Sequence, residues 1–289
     1  MPLSERADFA TRCHQPAVVR CFGFDRPEDI AAYVHPVPGT TRKPELDREF
    51  KASGSGSLRF TIPPRTGANT SGLFMANFAD DFSVQFGEGE EFYVQWRQRF
   101  SSEMLSTVYE GGLGWKQAII GEGDRLGFTA PGCTQLELVV SNTNQYGAAQ
   151  MYHSCGGKDG QFEALYQRDT VRYRPDQWMT FQLHVKIGTW YKNDHRYQGD
   201  STVQLWVAEE VRPPALVIDL SPEPGRLWGI AIPGTSTGYD LANTDPLAKY
   251  GKIMLTPYHT GKSDTQDHPP GYIWYDELIV SREKIADPL

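Results

Sequence analysis

The chain has 289 residues, of which 39% are hydrophobic and 22% charged, with 28 Gly and 20 Pro. This apolar fraction suffices for a substantial core and excludes a disordered or collagen-like chain. With 28 Lys and Arg against 36 Asp and Glu, the net charge is −8, so nucleic acid is not an expected partner. No apolar run reaches the length of a membrane-spanning helix, so we expect no membrane partner.

Short runs of alternating apolar and polar residues recur between clusters of Gly, Pro, Asn and Asp, whereas long helical periodicity is almost absent. The clearest predicted strands are residues 91–100, 115–120, 136–142, 178–187, 203–208, 252–258 and 272–280. Weaker candidates are 56–62, 82–86, 216–220 and 229–232, and short helices are predicted at 27–34 and 245–250. This pattern, without a linker or repeat, predicts one all-β sandwich domain over 1–289. Residues 1–24 are expected to form an N-terminal extension. We also expect the protein to be a monomer.

The faces of three predicted strands suggest a ligand. The runs at 91–100 and 181–187 each place apolar side chains on one face and cations or polar groups on the other. If the run at 252–258 lies in the same sheet, these polar faces form one strip, which contains Arg97, Arg99, His184, Lys252 and Tyr258. A cationic strip on an acidic protein indicates an anionic ligand. The alternative is that these cations only solubilise the strands and discourage edge pairing.

Four cysteines lie at Cys13, Cys21, Cys133 and Cys155, without the spacing of a zinc site. Two separated groups suggest the disulfides Cys13–Cys21 and Cys133–Cys155, and buried free thiols are the alternative. With disulfides, we expect a secreted or periplasmic protein whose signal peptide is missing from this sequence.

Several catalytic classes lack their sequence motifs. No Walker A, HExxH or GxSxG motif is found, so we expect no nucleotide or redox cofactor. The acids of ELDRE at 45–49 alternate, as in β-jelly-roll glucanases, but no strand is predicted there, which disfavours a glycoside hydrolase. Metal binding stays open: Asp276 could ligate a structural calcium ion, or could accept hydrogen bonds from backbone donors in a turn.

Candidate acid and base groups occur in two segments. His153 lies beside Cys155, where a disulfide would hold the loop, although a lone loop histidine is also ordinary surface chemistry. Tyr258, His259 and Lys262 close the run at 252–258. A tyrosine beside cations can transfer protons, whereas a tyrosine at a buried sheet edge more simply packs.

The order of four segments resembles one family of enzymes. These segments are QWRQRF, WKQAIIG, IMLTPYHTGK and the final WYDELIVS. Together they resemble the polysaccharide lyases of concanavalin A-like jelly-roll fold, such as heparin lyase I and the alginate and glucuronan lyases, over residues 92–281. The resemblance implies two antiparallel sheets with a concave groove, and β-elimination on an anionic, uronic acid-containing polysaccharide.

The resemblance also implies residue roles. Arg97 matches the family's arginine and Tyr258 its catalytic tyrosine, but residues 118–120 replace the family's Gln-Ile-His motif. His153, His184 or His259 could supply the missing base, or Lys116 and Gln117 could neutralise the substrate carboxylate alone. Flanking sugars would be held by Arg99, Gln117, Asn142, Asn144, His184, Lys252 and Lys262, with Trp115 and Tyr146 stacking on them.

Two alternatives stay open. A non-catalytic carbohydrate-binding module of the same fold needs only the cationic strip and the aromatic residues. A glycoside hydrolase needs two facing carboxylates, which no predicted strand face supplies.

Overall fold

The computed structural model describes residues 3–37, 40–69, 71–111, 114–122, 137–142, 147–154, 165–166, 171–189, 200–210, 212–222, 224–227, 230–236, 239, 241, 249–259 and 261–288. The helices are α1 (Leu3–Cys13), α2 (Pro27–Ala31) and α3 (Ser102–Ser106). Within these ranges, no helix is long and apolar enough to span a membrane.

The first strands are β1 (Val18–Phe22), β2 (Val34–His35), β3 (Glu45–Asp47), β4 (Ser57–Ile62), β5 (Leu73–Asn77), β6 (Glu91–Phe100), β7 (Lys116–Glu122), β8 (Glu137–Asn142) and β9 (Ala149–Ser154). The later strands are β10 (Leu165–Tyr166), β11 (Trp178–Lys186), β12 (Thr202–Glu209), β13 (Ala215–Leu220), β14 (Pro224–Leu227), β15 (Ile230–Ser236), β16 (Tyr250–Leu255) and β17 (Gly271–Ser281).

These strands form two large antiparallel sheets and one small one. Sheet A has the order β13-β12-β11-β6-β17-β4-β3, with β1 also pairing with β17. Sheet B has the order β10-β9-β8-β7-β16-β5-β2, and β14 pairs with β15 separately. The predicted all-β sandwich of two antiparallel sheets is confirmed.

The interior lies between the inner faces of the two sheets. In sheet A, Phe92, Val94 and Trp96 of β6 lie in this core. In sheet B, Ala118 and Ile120 of β7 lie in the same core. Since strand side chains alternate, the residues between these positions lie on the outer face of each sheet.

Other segments of the chain cover the outer face of sheet A. Arg12 of α1 donates hydrogen bonds to Gln95 and Glu277. The C-terminal segment donates from the backbone N–H of Ile285 to Gln182. Near the sheet's other end, Phe50 packs against Trp274. This face is therefore not the solvent-facing strip that the sequence suggested.

Most predicted strands agree with the structure, and β6 matches the prediction residue for residue. The predicted strand at 82–86 is wrong, because there only Phe86 forms an isolated bridge. A short strand, β3, does occupy part of 45–49, where none was expected. Of the predicted helix at 245–250, residues 245–248 lie outside the described residues and Tyr250 begins β16.

A disulfide joins Cys13 at the end of α1 to Cys21 in β1, with the Cα atoms 6.0 Å apart. This confirms one of the two predicted bridges. Cys133 and Cys155 lie outside the described residues. Residues 18–22 of the expected N-terminal extension form β1 and so belong to sheet A.

Candidate active site

Lys116 and Tyr258 meet on the outer face of sheet B. Lys116 begins β7, and Tyr258 follows the end of β16, the neighbouring strand. The backbone N–H of Lys116 donates to the carbonyl of Tyr258 at 2.8 Å. The Lys116 ammonium lies 4.3 Å from the centre of the Tyr258 ring, a cation–π contact. The structure thus brings together two of the residues predicted from the sequence.

Tyr152 of β9 is a third member of this group. Its register places it in line with Val139 of β8 and Ile119 of β7. The Lys116 Nζ atom lies 6.0 Å from the centre of the Tyr152 ring. Tyr152 was not among the residues predicted from the sequence, because no strand was predicted at 149–154. The signal was the alternation in AQMYHS, whose Met151 enters the core while Tyr152 does not.

A shift in register at the start of β7 gives the side chains of the neighbours Lys116 and Gln117 different surroundings. Lys116 pairs with Ser141 and Ala118 with Val140, so Gln117 is the extra residue of a bulge. Gln117 is buried: its side-chain amide donates to the Tyr173 hydroxyl at 2.6 Å, and its carbonyl accepts from Tyr275 at 2.9 Å. Burial places Gln117 out of reach of a substrate carboxylate, contrary to expectation.

An aromatic cluster lies directly behind the Lys116–Tyr258 pair. Trp115 and His259, the chain neighbours of these two residues, pack with their ring centres 4.9 Å apart. Tyr109 closes the group, 4.9 Å from Trp115 and 5.8 Å from His259. His259 is 0% exposed and Trp115 is also buried. Neither side chain is open to a ligand, contrary to the expectations that Trp115 stacks on a sugar and that His259 contacts substrate.

The loops that carry these residues are held by a close backbone approach. Gly111 has φ +98°, and a Cβ atom there would collide with the carbonyl of Gly261. Since this backbone conformation and this contact both exclude a side chain, glycine is required at position 111.

Beyond Lys116, the outer face of sheet B is first apolar and then polar. Ile119, Tyr152, Met254 and Leu73 form a small cluster separate from the main core, with Met75 packed against it. One step further along the strands, Lys252 lies opposite Asn77. Lys252 is only 3% exposed. It shares a sheet face with Lys116 but lies in a buried setting.

The structure does not bring Arg97, Arg99 and His184 to Lys116. All three lie in sheet A, on its outer face, whereas Lys116 and Tyr258 lie on sheet B. The expected single groove containing Arg97, Lys116 and Tyr258 is wrong, because β6 and β16 belong to different sheets.

Arg99 and His184 have partners on the outer face of sheet A. The Arg99 guanidinium lies 3.2 Å from the Asp176 carboxylate. His184 hydrogen-bonds Gln204 and Glu91, both at 3.0 Å, and stacks on Tyr93. Both residues have structural roles on this face.

Of the remaining predicted site residues, only Lys262 has a described side chain. The Lys262 ammonium donates to the carbonyl of Thr66, and burial lowers the pKa of this amine, opposed by the charge of Asp264. Lys262 therefore joins two loops. The backbones of Asn142 and His153 lie in β8 and β9, with side chains outside the described residues. Asn144 and Tyr146 lie outside them entirely.

Asp276, the candidate calcium ligand, accepts backbone N–H groups instead. Its carboxylate accepts from Ala52 at 2.8 Å, Ser53 at 3.1 Å and Glu277 at 2.8 Å. Among the residues that the structure describes, no group of three or more His, Cys, Asp or Glu side chains is placed to hold a metal.

No family model matches the sequence, and no curated protein matches it. Among solved structures, an alginate lyase of type PL-14 from Aplysia kurodai superposes with a TM-score of 0.59 at 10% identity, covering 91% of this chain and 98% of that one. The alginate lyase vAL-1 from Chlorella virus gives 0.55 at 10% identity, covering 92% and 100%. An endo-β-1,4-glucuronan lyase from Trichoderma reesei gives 0.52 at 15% identity, covering 86% and 90%. The chain therefore shares the β-jelly-roll fold of these proteins.

Proposed function

We propose that the protein is a polysaccharide lyase that cleaves an anionic, uronic acid-containing polysaccharide by β-elimination at the Lys116–Tyr258 pair. The observation that carries this proposal is a cation–π contact on the outer face of sheet B. In it the Lys116 Nζ atom lies 4.3 Å from the centre of the Tyr258 ring. Three proteins that share the fold are lyases of alginate or glucuronan by name, which supports the same substrate class here.

The chemistry needs both kinds of group. A base removes the C5 proton of the uronate, the C4–O bond breaks, and the electron pair forms a C4=C5 double bond. The departing oxygen takes a proton from an acid. The C5 proton becomes acidic enough only when the adjacent carboxylate is neutralised. Lys116 supplies that positive charge, and Tyr258 transfers the protons.

Tyr152 is the second phenol within reach of Lys116, and one tyrosine can act as base while the other acts as acid. His153 remains a candidate base from the sequence, adjacent to Tyr152 in β9.

The Cys13–Cys21 disulfide supports an exported protein, because disulfides persist in oxidising compartments. A secreted or periplasmic location also gives access to an extracellular polymer. We propose that the protein acts there as a monomer.

The test is incubation with alginate, polyglucuronate, heparin and pectate, following ultraviolet absorbance of the unsaturated product together with new reducing ends. A lyase produces both signals in equal amounts with at least one polymer. Reducing ends without absorbance would indicate a hydrolase. Neither signal, with retardation in a polysaccharide gel, would indicate a binding module and contradict the proposal.

A further inference from the structure

Arg97 lies on the outer face of sheet A, away from the proposed active site. In the sheet it is the neighbour of Thr180 in β11 and of Asp276 in β17. Its side chain is buried, with 8% of the residue exposed, and its Nε atom is enclosed without a hydrogen-bond partner. In the described part of the chain, Arg97 makes no hydrogen bond and no ion pair. Of the guanidinium nitrogens, only Nε is enclosed, so the two terminal nitrogens reach the surface as donors of a permanently charged group.

Two other arginines on this face show the contrast. Arg12 is more deeply buried than Arg97, yet it pairs with Asp8 at 2.9 Å and also bonds Gln95 and Glu277. Arg99, two residues from Arg97 on the same strand, pairs with Asp176. The face thus provides carboxylates for Arg12 and Arg99, whereas Arg97 forms no ion pair within the described residues.

Asp276, beside Arg97 in the sheet, does not serve as its counter-ion. Its oxygens are occupied by the backbone N–H groups of Ala52, Ser53 and Glu277. Burial, and then the neighbouring charge of Glu277, raise the pKa of Asp276 well above its usual value. The nearest carboxyl in register is therefore already engaged, and it forms no ion pair with Arg97.

We infer that Arg97 binds a small oxyanion, a carboxylate, sulfate or phosphate group, at a site separate from Lys116. The guanidinium offers a planar set of N–H donors that matches such groups and binds them in pairs. Thr180, its neighbour in β11, contributes a hydroxyl on the same face. With so little of Arg97 exposed, the site admits a single small group and not a polymer strand laid along the sheet. The site does not depend on lyase activity.

The test is thermal unfolding of the wild type and of Arg97→Met at low ionic strength. Each is titrated with sulfate, phosphate or acetate, with sodium chloride at matched ionic strength as reference. A ligand that binds only the folded state raises Tm by mass action, on the order of 5 °C at a hundredfold excess over Kd. We expect a saturable rise in the wild type with at least one anion, and no rise in Arg97→Met. Without anion, Arg97→Met should unfold at about the same temperature, because within the described residues Arg97 has no hydrogen bond or ion pair to lose.

Arg99→Met is the matched control, since it removes an arginine from the same strand face together with its Asp176 pair. It should lower Tm but keep the anion-dependent rise. Equal rises in the wild type and Arg97→Met, or no saturable rise with any of the three anions, would overturn the site. If Arg97→Met does not fold, the 15N–H resonance of Arg97 Nε in the wild type decides: a saturable shift with an anion supports the site, and an unchanged resonance overturns it.

Discussion

At the scale of single residues, the proposed chemistry depends on the hydroxyl of Tyr258. Tyr258→Phe keeps the ring that contacts Lys116 and removes only the proton-transferring group. We expect kcat to fall about 10²–10⁴-fold, with little change in polymer binding. Steady-state kinetics and gel retardation measure the two effects separately. Tyr152→Phe, measured alongside, shows whether the second phenol shares the proton transfer. Undiminished turnover in Tyr258→Phe would remove Tyr258 from the mechanism.

Asp47 gives a pH-dependent stability prediction at the edge of sheet A. Burial alone would raise the pKa of Asp47, but hydrogen bonds from Trp274, Glu49 and Phe50, with the charge of Arg59, lower it below its usual value. An unfolded Asp titrates near 3.9, so the stabilisation is present above that pH and is lost as the pH falls through the folded-state pKa.

We therefore expect Asp47→Asn to lower the free energy of unfolding by about 1–3 kcal/mol at neutral pH. The difference from the wild type should shrink on acidification below about pH 4. Urea unfolding at several pH values measures this difference. A difference that does not depend on pH would contradict a role for the ionised carboxylate.

Sequence reasoning identified Lys116 and Tyr258 by residue type and by resemblance, and the structure places them in contact. Tyr152 was missed, because the alternation in the short segment AQMYHS was not interpreted as a strand. Sequence reasoning assigned Arg97 to the same groove because alternation tells which face of a strand a residue occupies but not which sheet contains the strand. Sheet membership depends on pairing between distant segments, which one sequence does not show.

Among the elements of the fold, the segments before β7 and after β16 hold the proposed active-site pair in place. Trp115 and His259 pack together behind Lys116 and Tyr258, which are their chain neighbours. His259→Ala removes this contact, so we expect Tyr258 to shift relative to Lys116. A displacement near 1 Å at a catalytic group costs up to about 10²-fold in rate, and kcat should fall by at least about tenfold.

His259→Phe is the matched variant, because it restores a ring without an imidazole. It should recover most of the activity lost in His259→Ala. If both variants lose activity equally while remaining folded, the imidazole itself takes part and the packing account is wrong. The 13C–1H signals of the Lys116 side chain provide a readout independent of activity. Ring-current shifts from Tyr258 should diminish in His259→Ala and persist in His259→Phe.

The helix α1 is a structural element on the opposite side of the molecule. Arg12 holds it to sheet A through Gln95 and the buried Glu277. Arg12→Met leaves the Glu277 carboxylate buried without its partner, so we expect a loss of about 3–5 kcal/mol in the free energy of unfolding. At temperatures where the variant stays folded, kcat/KM should not change, since α1 lies on sheet A. A folded variant with a large loss of kcat/KM would contradict this separation.

The element-level prediction succeeded where one strand has strong alternation. EFYVQWRQRF gave β6 with its bounds because Phe92, Val94 and Trp96 all enter the core. The helix α1 was not predicted. Few apolar residues mark a face of this helix, and its stabilising contact comes from Arg12. A buried ion pair between segments 265 residues apart leaves no periodic signal.

In the molecule as a whole, the two outer faces differ in how other segments cover them. The face of sheet A is covered by α1, the 50–53 segment and the C-terminal segment, which contact Gln95, Trp274 and Gln182. The face of sheet B carries Lys116 and Tyr258, both partly exposed. This asymmetry explains how β6 can carry Arg97 and Arg99 without forming part of a substrate groove.

Lys116 and Tyr258 on sheet B are the proposed site of uronate β-elimination. The most direct measurement compares kcat/KM for formation of the unsaturated product in the wild type, Lys116→Met and Arg97→Met, with the most active polymer. We expect kcat/KM to fall at least about 10²-fold in Lys116→Met, where carboxylate neutralisation is removed, and to stay unchanged in Arg97→Met. Full activity in Lys116→Met, or a comparable loss in a folded Arg97→Met, would contradict the proposed site.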